Sequence, residues 1–168
     1  MGRLADTLDA LSVRALSPDH RIQGQLHHRT KVDISFTSED SYYEYKSEQA
    51  VAAQLSAVLN ALIVGRNEGF CAAVREVTDL RLDDRPHWDA RRRRFREERD
   101  GAPLEGQSAG GWLTVASVGL RDANATVKPG AFDELDASGF LIEVHSAIAD
   151  LWKDQAMAMS YLRRTHFG

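Results

Sequence analysis

The chain has 168 residues, 43% hydrophobic and 27% charged, with a formal net charge of −4. That length and apolar content suit a single domain with a real core. The one cysteine, Cys71, excludes an intramolecular disulfide and any cysteine-only zinc cage, and its apolar setting reads as packing. No run approaches the roughly 18 uninterrupted apolar residues of a membrane span, and Met1-Gly2-Arg3-Leu4 leads into alternating charge. A cytoplasmic setting without membrane insertion is the expectation.

In chain order, Leu4, Leu8, Leu11 and Ala15 form one apolar stripe, which predicts a short helix ending near Ser17-Pro18. Ile22, Leu26, Val32, Ile34 and Phe36 all fall on even positions, the period of a half-buried strand or hairpin. Ser41-Tyr42-Tyr43-Glu44-Tyr45 is read as continuing the sheet, because aromatics favour strands. Ser47 is the N-cap of a long helix with Val51, Leu55, Val58, Leu59 and Leu62 on its apolar face. A bend or break is predicted around Gly65-Arg66-Asn67-Glu68-Gly69. Small residues recur every fourth position there, including Ala57, Ala61 and Gly65. They suit close packing, either within the chain or with a second copy.

Between Arg81 and Asp100 stand eight arginines and six acids, so the basic character is concentrated in one stretch. Gly106 to Gly111 reads as a flexible connection. Trp112–Val118 and Ala123–Val127 read as strands joined at Arg121-Asp122, before a final helix from Ser138. On that helix Leu141, Val144, Ile148, Leu151 and Leu162 keep three-four spacing. The stripe fits a helix pair inside the chain or an intermolecular coiled coil, and Val144, Ile148 and Leu151 are its candidate interface residues. The expected class is α+β, with antiparallel strands packed against long helices in two strand-then-helix halves. These are residues 1–80 and 112–168, with 81–111 as an arginine-rich segment and linker. An offset of 90 residues sets Val51 on Leu141, Val58 on Ile148 and Leu62 on Trp152, in the manner of a duplication.

No catalytic constellation, metal-ligand spacing or cofactor fingerprint emerges, so no metal and no cofactor are expected. His27-His28 is read as strand residues pointing to opposite faces. Arg91, Arg92, Arg93, Arg94 and Arg96, preceded by Trp88, place guanidinium groups beside aromatics, as phosphate-tracking surfaces do. The alternative is a solvated helix in which Arg93 pairs with Glu97 and Arg94 with Glu98.

Ala125-Thr126-Val127-Lys128-Pro129-Gly130-Ala131-Phe132, followed by the helix from Ser138, resembles the layout of the YbaB/EbfC nucleoid-associated family. The same stretch is similar to actinobacterial type VII secretion-associated proteins. The first resemblance implies dimerisation and sequence-tolerant DNA binding.

The leading expectation is a non-enzymatic interaction protein, an adaptor or secretion accessory, working through its long helices as a homodimer with an unidentified protein partner. Nucleic-acid binding through the arginine segment is the alternative. An enzyme or small-ligand binder lined by Tyr42, Tyr43 and Tyr45 is the third.

Overall fold

The computed structural model describes residues 2–78 and 90–168. Helix α1 (Arg3–Asp9) leads into a three-stranded antiparallel sheet of β1 (Ser12–Leu16), β2 (Ile22–His27) and β3 (Lys31–Phe36), followed by α2 (Glu48–Thr78). Helix α3 (Ala90–Gly101) introduces a second such sheet, β4 (Pro103–Gln107), β5 (Leu113–Val118) and β6 (Asn124–Val127). A short helix α4 (Ala131–Glu134) and the long α5 (Ala137–Phe167) complete the chain. The fold is α+β, two sheet-then-helix units in succession.

Several segments depart from the sequence reading. Residues 12–16 are a strand rather than the end of a helix, because Val13 and Ala15 alternate with exposed Ser12, Arg14 and Leu16 and pair with β2. Tyr42–Glu44 form a 3-10 turn instead of a strand. There Tyr42 is buried against Phe36, Phe132 and Phe140, with ring centroids 5.2–5.4 Å apart, and its hydroxyl donates to the Leu135 carbonyl at 2.8 Å. This cluster joins the two units. Helix α2 does not break at its glycines, because Gly65 and Gly69 leave room for the side chains of Val13 and Leu11. The stretch expected as a flexible connection begins inside β4, where Gly106 lets that strand lie directly against the α5 backbone at Ala147 and Leu151. His28 sits at φ 50°, which turns its ring onto that of His27, 5.2 Å away, instead of to the opposite face.

The hairpin of 22–36, the Ser47 cap and the closing helix are as read. The Ala50 N–H donates to the Ser47 hydroxyl at 3.1 Å. The Gly139 N–H donates to Asp136, the N-cap of α5, at 2.7 Å. By length and mean hydropathy alone Glu48–Arg75 could cross a bilayer. Here Val51, Leu55, Val58 and Leu62 on that helix are buried in the core.

The two units share one register. Ser12 pairs with His27 as Pro103 pairs with Val118, and Ile22 pairs with Phe36 as Leu113 pairs with Val127, an offset of 91 residues throughout both sheets. Ser17 and Ser108 close the first hairpin of each unit identically. Each N–H donates to a β-strand carbonyl, of Ile22 or Leu113, at 2.8 Å, and each hydroxyl accepts the N–H of that same residue. In the long helices the offset is 89, because the link from third strand to helix is two residues shorter in the second unit. Val51, Leu55, Val58, Leu59 and Leu62 therefore correspond to Phe140, Val144, Ala147, Ile148 and Leu151, all buried. The offset of 90 read from sequence lies between the two true values.

Candidate functional site

Helix spacing gathers arginines at one end of the molecule. On α2, Arg66, Asn67 and Phe70 lie on one face; on α5, Gln155, Met159 and Arg163 do the same, four residues apart. Arg99 closes α3, and the β5–β6 turn brings in Leu120 and Arg121. Together they line a groove of about 520 Å³. The turn is held in place by Asn67, whose amide donates to the Leu120 carbonyl at 2.9 Å, and by the Gly119 N–H, which donates to the Ala102 carbonyl at 2.7 Å. Gly119 (φ 63°) and Leu120 (φ 54°) occupy the two central, left-handed positions of the turn that the Arg121 N–H closes on the Val118 carbonyl at 3.1 Å. A side chain at Gly119 would also run into the backbone of Asp100, so the glycine brings the turn against the end of α3.

Arg66 is the central cation. Its guanidinium carbon lies 4.2 Å from the Phe70 ring centroid and 5.3 Å from that of Trp152. Nε donates to the Arg29 carbonyl at 3.0 Å and Nη1 to Asn67 at 3.2 Å. Burial lowers its pKa to about 10, which still leaves it cationic at neutral pH. Arg99 is neutralised by Asp100 at 3.0 Å. Among the described residues no carboxylate forms an ion pair with Arg66, Arg121 or Arg163. Leu104, Leu120 and Met159, all buried, make an apolar floor. The site is a cationic rim around an apolar base on a chain of net negative charge.

Of the residues expected to bind nucleic acid, Arg91, Arg92, Arg93, Arg94 and Arg96 are exposed on α3, and Trp88 lies outside the described residues. Among the described residues neither Arg93 with Glu97 nor Arg94 with Glu98 forms an ion pair. Phe95 packs on Phe167 with ring centroids 5.3 Å apart, and Glu98 accepts from His166 at 3.0 Å, so α3 docks on the end of α5. Of the expected interface residues, Val144, Ile148 and Leu151 are buried in the chain's own core, their apolar stripe satisfied by the sheets. Ala61 is exposed, while Ala57 and Gly65 are half-buried on the α2 face beside β1.

The groove residues other than Arg99 and Asp100 lie outside the arginine block that dominates the sequence. A lone arginine in an apolar helix face, Arg66 between Ile63 and Phe70, was the available signal.

Comparison of the chain with family models, with curated proteins and with solved structures finds no match.

Proposed function

We propose that this is a non-enzymatic interaction protein whose recognition surface is the arginine groove, and that it takes an acidic partner segment carrying apolar side chains. The observation behind this reading is the placement of Arg66, Arg121 and Arg163, without carboxylate partners among the described residues, around the floor of Leu104, Leu120 and Met159. Guanidinium forks match carboxylates in geometry, and a floor of this kind holds an apolar side chain between them. The apolar stripes of the long helices are used in folding, which moves the interaction surface away from them.

Nucleic-acid binding is the second reading, favoured by exposed Arg93, Arg94 and Arg96 on the same helix as Arg99. The groove suits it less well. One face of Phe70 is taken by Arg66, and the arginines ring a base instead of forming a track along which phosphates could run.

Fluorescence anisotropy with a labelled peptide of alternating glutamate and leucine, and with a short single-stranded DNA, separates the two. The peptide should bind, should weaken with salt, and should lose about tenfold in affinity on Arg66→Met or Arg163→Glu. DNA binding that survives those changes but is lost when Arg93, Arg94 and Arg96 are neutralised would transfer the function to the second reading. A peptide that fails to bind at low salt would sink the first.

A further inference from the structure

The two units differ at one edge. Because the Ser108 N–H bonds to Leu113, alternation along an antiparallel ladder turns the N–H groups of Glu105 and Gln107 outward from β4. Helix α5 covers them: Glu105 donates to Asp154 and Gln107 to Asp150, both at 2.9 Å, and beyond the strand Ala109 donates to Ser146 at 2.8 Å. In the first unit the Ser17–Ile22 bond turns the N–H groups of Arg14 and Leu16 outward in the same way. The α2 positions equivalent to Ser146, Asp150 and Asp154 are Ala57, Ala61 and Gly65, none of which has a side-chain acceptor. Only the outermost cap is kept, where Gln54, in the place of Glu143, accepts the Asp19 N–H at 3.0 Å.

The cause is a swap of one small residue. The cross-strand pair is Ala15–Gly24 in the first sheet and Gly106–Val115 in the second, so the glycine stands on β2 in one and on β4 in the other. Gly24 admits Val58 and Leu62 of α2, and Gly106 admits the α5 backbone. Helix α5 is drawn over the edge strand of its sheet, whereas α2 divides its packing between β1 and the central strand β2.

We propose that β1 is a docking edge for a second copy of this chain. A strand edge is complementary to another strand edge, and this one matches itself. A twofold axis at Ala15 places Arg14 opposite Leu16 of the second copy, so each pair exchanges both backbone hydrogen bonds and no arginine stands opposite another. The five residues of β1 fit a strand of their own length, ended by Pro18, and the pairing fuses two three-stranded sheets into one. Ala57 and Ala61 then have the small side chains that let the two α2 helices approach across the same axis. This extends the interaction-protein reading to self-association and does not depend on the groove.

Sedimentation velocity and native mass spectrometry between about 1 and 100 µM test it, since association shifts with concentration. The full chain should dimerise, with amide exchange over residues 12–18 slowing as concentration rises. Leu16→Pro removes an outward N–H that the β1–β2 ladder does not use and should weaken the dimer at least about tenfold. Leu16→Lys, which faces Arg14 of the copy from an exposed position, should do the same while circular dichroism stays unchanged. Met157→Glu, on exposed α5 surface, should leave the dimer intact. A chain that stays monomeric over this range, or a dimer indifferent to both Leu16 variants, overturns the proposal. So does a monomer whose β1 amides are protected only on adding a synthetic peptide of alternating valine and glutamate, which would assign the edge to a foreign strand. Peptide binding in the groove is measured separately, so the two readings fail independently.

Discussion

His145 and Ser56 stand in for one another across the two units. The Ile34 N–H donates to His145 Nε2 at 3.0 Å, and the Ala125 N–H donates to Ser56 Oγ at 2.8 Å. Each helix thereby caps the third strand of the other unit's sheet, at residues related by the same offsets of 89 and 91. The second hydrogen bond of each side chain runs back to its own helix, from His145 Nδ1 to the Leu141 carbonyl at 2.8 Å and from the Ser56 hydroxyl to that of Ala52 at 2.7 Å. That arrangement places the imidazole proton on Nδ1. His145→Ala and Ser56→Ala each leave a strand N–H without its acceptor and should cost about 1–3 kcal/mol in urea denaturation. The cap predicts faster amide exchange at Ile34 in the first variant and at Ala125 in the second; exchange that is unchanged at both would contradict it.

The glycines of the sheet and helix faces should not respond alike. A methyl group at Gly106 meets the backbone of α5, which cannot move aside, so Gly106→Ala should lose about 3 kcal/mol or more, or fail to fold. At Gly65 the obstacle is a side-chain methyl of Val13, and alanine gains about 1 kcal/mol of helix propensity. Gly65→Ala should fall within about 1 kcal/mol of the parent in thermal denaturation.

Removing the carboxylates that cover β4 should open a second pairing edge. Asp150→Ala combined with Asp154→Ala frees the N–H groups of Gln107 and Glu105. A chain with two open edges can associate beyond a dimer. Light scattering should show species growing with concentration, and Leu16→Pro in the same background should reduce them.

Alkaline pH should find a weak point at the joint between the units. Burial, with Tyr43, Asp136 and Glu48 nearby, pushes the Tyr42 hydroxyl up to about 12 from an ordinary value of 10.0. A raised folded-state value means that the stabilisation is complete below pH 10 and is lost as pH climbs toward 12. Tyr42→Phe should cost about 1 kcal/mol at neutral pH through the lost bond to Leu135, and should flatten the fall in stability between pH 10 and 12. The remaining fall belongs to Tyr45, also held up by burial. An unaltered alkaline limb in Tyr42→Phe would count against this assignment.

Acid acts at the start of α2. Bonds from the backbone N–H groups of Glu48 itself, Gly130 and Phe132 hold the Glu48 carboxyl below its usual range against the opposing effect of desolvation. A lowered folded-state value contributes stability that is present above the ordinary carboxylate range and lost as pH falls through the folded value. Glu48→Gln should therefore show a shallower acid limb in a pH series of thermal melts.

The sequence by itself determined the elements whose pattern is local. Alternation at Ile22, Leu26 and Ile34 places a hairpin, three-four spacing at Val144, Ile148 and Leu151 places a helix, and Ser47 starts another, because each depends on neighbours within a few residues. The α+β class follows from these. The tertiary structure decided the rest. Residues 12–16 continue the helical stripe of Leu4, Leu8 and Leu11 through Ala15, but become a strand because β2 offers them a partner. Gly65, Gly69 and Gly106 read locally as breaks or linkers, yet each marks a close approach to a segment distant in the chain. The arginine groove draws on helices α2, α3 and α5 and one turn, so no window of sequence contains it. The duplication was visible only in outline, since a two-residue difference in one link splits the offset. Whether a strand edge is open or covered depended on which strand of a pair carries the glycine, a choice whose effect is felt only when a helix lies across the sheet.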